Sequence, residues 1–131
     1  MKKILIIDDQ KAIRNTLKEI LEYEKHAVYV AEDGKIGLQM TIENNYDLIF
    51  CDIKMPNLDG IEFLKKVIEK KIISPVIMIS GHGDIETAVQ TLKIGAYDYI
   101  EKPLDLNRVL SSVKNAFDNR LLKKENLSLK K

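Results

Sequence analysis

The sequence predicts an α/β domain whose parallel sheet is covered on both faces, and two observations lead there. Five short apolar runs recur along the 131 residues: Ile4 to Ile7, Ala27 to Val30, Leu48 to Cys51, Val76 to Ile79 and Ala96 to Ile100. Most are continuous and not alternating, as in strands buried on both sides. Segments of helical periodicity separate them, so a strand–helix unit repeats five times. Strict alternation implies parallel strands joined by right-handed crossovers, with helices on the two faces.

The first run follows Met1-Lys2-Lys3 and ends at Asp8, too short for the apolar core of a signal peptide. Ile13, Leu17, Ile20 and Leu21 then stripe a first helix, and Ile36, Met40 and Ile42 sit in a shorter second one. Ile61, Leu64, Val67 and Ile68 mark the third helix; Ile85, Ala88, Val89 and Leu92 mark the fourth. Leu106, Val109, Leu110, Val113 and Phe117 stripe the last. Gly34, Gly60 and Gly95 fall near element ends, and Pro75 precedes the fourth strand. Five strands suit the flavodoxin-like order 2-1-3-4-5, an assignment made by analogy because periodicity alone does not set strand order.

A chain of this length supplies core for one domain, not two. The 21 basic and 20 acidic residues leave a net charge of +1, which gives no electrostatic footprint for direct nucleic-acid binding or for a membrane surface. No apolar stretch approaches the length of a membrane span. Cys51 is the only cysteine, so no intramolecular disulfide can form; its apolar neighbours suggest a small buried hydrophobe, and a cytoplasmic setting fits.

In a doubly wound sheet, ligands bind at the carboxyl ends of the strands, beside the point where strand order reverses. Asp8 and Asp9 follow the first strand and Asp52 the third, which are neighbours in the expected order. Three carboxylates so close repel strongly, and a hard cation with oxygen ligands, Mg²⁺ before others, relieves that. Ser80 follows the fourth strand, and Lys102 with Pro103 follows the fifth. A hydroxyl and a compact positive charge suit phosphate oxygens. The expected chemistry is therefore a metal-assisted carboxylate nucleophile, Asp52, facing groups that stabilise an incoming phosphoryl charge. Taken singly, an Asp-Asp pair, a serine or a lysine is ordinarily solvated or capping. Each here ends its own strand, in chain order.

With these residues assembled, the chain resembles the receiver domains of two-component response regulators across residues 1 to 118. The matching motifs are Ile6-Ile7-Asp8-Asp9, Asp52-Ile53-Lys54-Met55-Pro56 with Asp59-Gly60, Ser80-Gly81-His82-Gly83, and Tyr97-Asp98-Tyr99-Ile100-Glu101-Lys102-Pro103. The resemblance implies a sensor histidine kinase as phosphodonor and Asp52 as acceptor. It implies Mg²⁺ (or Mn²⁺) held by Asp9, Asp52 and the backbone carbonyl of Lys54, with Asp8 acting largely through water. Ser80 and Tyr99 match the switch pair of the family, Lys102 would pair with the phosphoryl group, and the Lys102–Pro103 bond would be cis. Such a domain catalyses only its own phosphorylation and dephosphorylation. Its response changes the face formed by the fourth helix, fifth strand and fifth helix, through which a homodimer can also form.

The stretch from Ser80 to Val89, through Gly95-Ala96-Tyr97-Asp98, looks like receivers of the nitrogen-regulatory type, which precede an AAA+ ATPase and a DNA-binding domain in enhancer-binding activators. Residues 119–131 would then begin a helical linker, with the stripe Val113, Phe117, Leu121 meeting a missing neighbour or a dimer partner; a frayed tail remains the simpler reading. A stand-alone chemotaxis-type receiver and a phosphate-independent interaction module stay open as alternatives. A flavin-binding electron carrier conflicts with the carboxylates after the first strand, and an aspartyl phosphatase would need a cap that these loops are too short to supply. His82, two positions past Ser80, reads as an exposed loop residue, and His26, beside Lys25, as a solvated turn residue.

Overall fold

In the computed structural model, β1 (Lys3–Ile7) leads into α1 (Lys11–Tyr23), and the unit repeats through β2 (Ala27–Ala31), α2 (Gly34–Glu43), β3 (Leu48–Asp52) and α3 (Gly60–Glu69). It continues through β4 (Val76–Ser80), α4 (Ile85–Ile94), β5 (Asp98–Glu101) and α5 (Leu106–Leu129). The structure describes residues 1–129 other than His82, and describes no side chains beyond residue 119. Leu121 and His82, both singled out in the sequence, therefore lie outside the described side chains.

All five strands are parallel, in the order β2-β1-β3-β4-β5. The parallel sheet is the one expected from the alternation, and the strand order is the flavodoxin-like order assigned by analogy. Ile7 pairs with Cys51, Asp52 with Ile79, and Ser80 with Glu101, so the carboxyl ends of four strands finish nearly level.

Alternate residues of each central strand feed two cores. Ile4, Ile6, Phe50, Ile77 and Ile79 meet Leu17 and Leu21 of α1 and Val109, Val113 and Ala116 of α5. On the opposite face Leu5, Ile7, Ile49, Cys51 and Met78 meet Phe63, Leu64 and Val67 of α3 and Ala88 of α4. Each such large side chain, fully buried, contributes about 1.5–3 kcal/mol through removal from water. Asp33 and Asp59 cap α2 and α3, accepting from the backbone N–H of Ile36 at 2.8 Å and of Glu62 at 2.9 Å.

Several details depart from the sequence reading. β2 is an edge strand, and Tyr29 and Val30 are exposed there. β5 begins at Asp98, two residues after the apolar run starts. In α2 the inward residues are Gly34, Gly37 and Thr41, while Ile36 and Ile42 face out. Gly37 lies so close to β1 that an added Cβ would stand 2.4 Å from Ile7 Cδ1, so only the smallest residue lets α2 approach. In α4 the small Ala88 and Thr91 are buried, whereas Ile85, Val89 and Leu92 are 49%, 39% and 37% exposed. Half-buried His26 packs its ring 5.5 Å from that of Phe117, and its Nδ1 is enclosed without a hydrogen-bond partner. It is not the solvated turn residue its neighbours suggest.

Candidate functional site

Parallel strands place every carboxyl end on one edge, and the residues just past β1, β3, β4 and β5 form the site. Asp8 follows Ile7, and Asp52 closes β3; the two are 0% and 4% exposed. Asp9 is exposed. One carboxylate oxygen from each of Asp8, Asp9 and Asp52 lies within 4.8 Å of the others, the only such metal-capable group among the described residues.

The backbone fixes this cluster firmly. Gln10 N–H donates to Asp8 Oδ1 at 2.8 Å, and Arg14 Nη1 donates to the Asp8 carbonyl at 2.8 Å. Ile53 N–H donates to the Ile79 carbonyl and Gly60 N–H to the Ile53 carbonyl, which anchors the chain on both sides of the loop after Asp52. A Cβ on Gly60 would meet the Asp52 carbonyl oxygen at 2.3 Å, so glycine is required for α3 to start beneath the end of β3.

Lys102 supplies the positive charge. Its Nζ lies 3.4 Å from Asp52 Oδ2 and 3.6 Å from Asp8 Oδ2, and donates to Gln10 Oε1 at 2.9 Å. The Lys102–Pro103 peptide is cis. Lys102 N–H donates to the Ser80 carbonyl at 2.8 Å, which ties the Lys102 backbone to the end of β4.

One cation does not neutralise the site. Burial, then the Asp8 charge, raises Asp52 to about 7 against the opposing pull of Lys102. Burial also raises Asp8, with the hydrogen bond from Gln10 and the Lys102 charge pulling the other way. Asp8 Oδ2 is buried without a hydrogen bond. Clustered hard oxygen donors, a buried carboxylate oxygen without a hydrogen bond and one exposed carboxylate fit a divalent cation with part of its hydration kept.

Ser80 Oγ is buried and unpartnered at the end of β4. Tyr99 is half-buried on β5, its ring packed against the α3–α4 core. The Lys54 side chain turns to Asp84 at 3.1 Å, before α4. Asp8, Asp9, Asp52 and Lys102 are thus gathered at one point, with Ser80 on the same edge. Gln10 and Arg14 escaped the sequence reading; one holds the lysine and the other the Asp8 backbone. Position next to the acidic pair was the only signal for Gln10, and none marked Arg14. Cys51 is fully buried, and burial raises its thiol well above the usual range, so it is not part of the chemistry. No described helix is long and apolar enough to cross a membrane.

The family model described as response regulator receiver domain matches residues 4–114. A putative NtrX-like response regulator of Rickettsia bellii is 39% identical over 129 residues, covering 97% of this chain and 27% of that protein. The C4-dicarboxylate transport transcriptional regulatory protein DctD of Pseudomonas aeruginosa is 35% identical over 128 residues, covering 98% of this chain and 28% of that protein. The crystal structure of NtrX from Brucella abortus superposes with a TM-score of 0.92 at 37% identity, over 98% of this chain and 29% of that one. The chain thus spans little more than a quarter of the length of these relatives.

Proposed function

The chain belongs to the response regulator receiver domain family, and from that premise we propose that it is a phosphorylation switch with Asp52 as the phosphoryl acceptor. The observation that carries this reading is the meeting of Asp52 with Asp8, Asp9 and Lys102 at the carboxyl edge of the sheet. An Asp52 carboxylate oxygen forms the new P–O bond as the P–N bond to a histidine kinase's phosphohistidine breaks, and the electron pair leaves with the imidazole nitrogen. Lys102, already on Asp52, moves to the transferred oxygens and holds their charge in place. Asp8, Asp9, Asp52 and the Lys54 carbonyl would hold Mg²⁺ (Mn²⁺ being the alternative), which supplies further charge neutralisation at those oxygens.

Ser80 Oγ, which lacks a partner, donates to a phosphoryl oxygen, and Tyr99 takes up the space behind it. The face formed by α4, β5 and α5 then changes its partner preference. Ile85, Val89 and Leu92 of α4, left on the surface, support its use as a contact with β5 and α5 beside them. Output through transcription is supported by the named function of the Pseudomonas relative, which is far longer than this chain. In this reading the domain acts in the cytoplasm and catalyses only its own phosphorylation and dephosphorylation.

Intact mass after incubation with acetyl phosphate, with and without Mg²⁺, tests the proposal. One metal-dependent phosphoryl addition, absent in Asp52→Asn, is expected. A folded protein that gains none from acetyl phosphate or from a kinase would overturn it and leave a phosphate-independent interaction module.

A further inference from the structure

Tyr97, just before β5, and Asp98 and Tyr99, its first two residues, are tied to side chains of α5. Asp98 accepts from Arg108 Nη1 and Nη2, each at 2.9 Å, and from Ser112 Oγ at 2.6 Å. Arg108 Nη2 also donates to the Tyr99 carbonyl at 2.7 Å. One helical stretch further on, Asn119 Nδ2 donates to Tyr97 Oη at 2.5 Å. The backbone N–H of Arg108 is held in turn by Asp105 Oδ2 at 3.0 Å, which fixes the first turn of α5. Asp98 thus carries three bonds from α5 on its two oxygens, and a fourth comes from Tyr99 N–H at 2.8 Å.

These ties have a direction. Asp98 faces α5, whereas the next side chain along the strand, Tyr99, packs on the α3–α4 side of the sheet. A movement of the Tyr99 ring that shifts its backbone must act on the Arg108 guanidinium, because that group grips the Tyr99 carbonyl and the Asp98 carboxylate together. A planar fork holding two acceptors at once resists displacement better than a single bond. The apolar contacts of Val109, Val113 and Ala116 already seat α5 on the opposite core. Packing alone therefore does not explain why the polar bonds concentrate on Tyr97, Asp98 and Tyr99.

We infer that the Arg108–Asp98–Ser112 clasp, with Asn119 on Tyr97, is the device that delivers a change at Tyr99 to α5. Arg108 is in this scheme a positioning residue, acting through the β5 backbone and touching no reacting atom. The inference rests on the switch proposed above, in which Tyr99 moves when Asp52 is phosphorylated.

Hydrogen exchange along α5, read by NMR with and without acetyl phosphate and Mg²⁺, tests it. The parent is expected to change its α5 protection on phosphorylation. Arg108→Lys keeps a positive charge near Asp98 but cannot grip both acceptors; it should take up phosphoryl as the parent does and lose the α5 change. An α5 change of parental size in Arg108→Lys would overturn the inference. So would loss of phosphoryl uptake in a folded Arg108→Lys, which would place Arg108 in the chemistry. A second arm needs no phosphoryl group: Tyr99→Ala should alter α5 exchange when Arg108 is present and leave it unaltered in the Arg108→Lys background. Equal effects in both backgrounds would overturn the clasp, whereas failure of uptake in the parent would refute only the proposed phosphorylation.

Discussion

Replacing Asp52 with Asn is expected to stabilise the metal-free fold while removing the proposed phosphoryl acceptor. Asp52 is 4% exposed, and burial together with the Asp8 charge raises its carboxyl from 3.8 to about 7, with Lys102 opposing. At about 1.4 kcal/mol per unit, that rise costs the folded state about 4 kcal/mol once Asp52 is ionised in both states. The folded protein binds the Asp52 proton more tightly than the unfolded chain does. Stability therefore falls as pH rises from 3.8 to about 7 and then levels off. Asparagine has the same shape and no charge, so its advantage over the parent should grow from about 2 kcal/mol near pH 5 to about 4 kcal/mol near pH 8. Urea unfolding in the presence of a chelator, followed by circular dichroism at both pH values, measures that gap. A parent as stable as the variant near pH 8, or a gap that does not change with pH, would refute the reasoning. Saturating Mg²⁺ should narrow the gap, because a cation bound to the folded state favours the ionised carboxylate.

Lys102→Met should slow phosphoryl uptake from acetyl phosphate by about 100-fold or more, the scale of losing one preorganised charge stabiliser, as followed by intact mass against time. Gly60→Ala should cost about 1–3 kcal/mol in urea unfolding, since its Cβ meets backbone that cannot yield, and should slow uptake by shifting the Asp52 carbonyl. For Asp98, burial pushes the carboxyl up, but the bonds from Arg108, Ser112 and Tyr99 N–H outweigh it and hold the group below its ordinary 3.8. Its contribution to stability is present above that ordinary value and lost as pH falls through the folded one. An NMR titration should place the Asp98 midpoint below 3.8 in the parent and return it upward in Arg108→Met.

The site was legible before the fold because it depends on where strands end. Asp8, Asp52, Ser80 and Lys102 each follow an apolar run, and parallel pairing obliges those ends to share an edge. The helix faces were less legible. Periodicity identifies apolar residues but not the clearance over the sheet, so the glycine beneath Ile7 went unread, as did Thr91, which with Ala88 is buried on α4. The polar ties were hidden for another reason. Lys102 and Gln10 are 92 residues apart, and Arg108 and Asp98 are separated by a loop, distances that no local pattern spans. What the periodicity misread has its own physical meaning. A helix that buries Ala88 and Thr91 while keeping Ile85, Val89 and Leu92 outside breaks the usual inside–outside rule, and a buried Asp8–Asp52 pair breaks the rule against unmatched charge. Folds keep such local costs where function uses them. Here the two breaches are joined through β4 and β5, whose ends carry Ser80 and Lys102 at the acidic site and whose Tyr99 packs on the α3–α4 side. Relief of charge at Asp52 and covering of the α4 surface are therefore expected to be thermodynamically linked, each favouring the other.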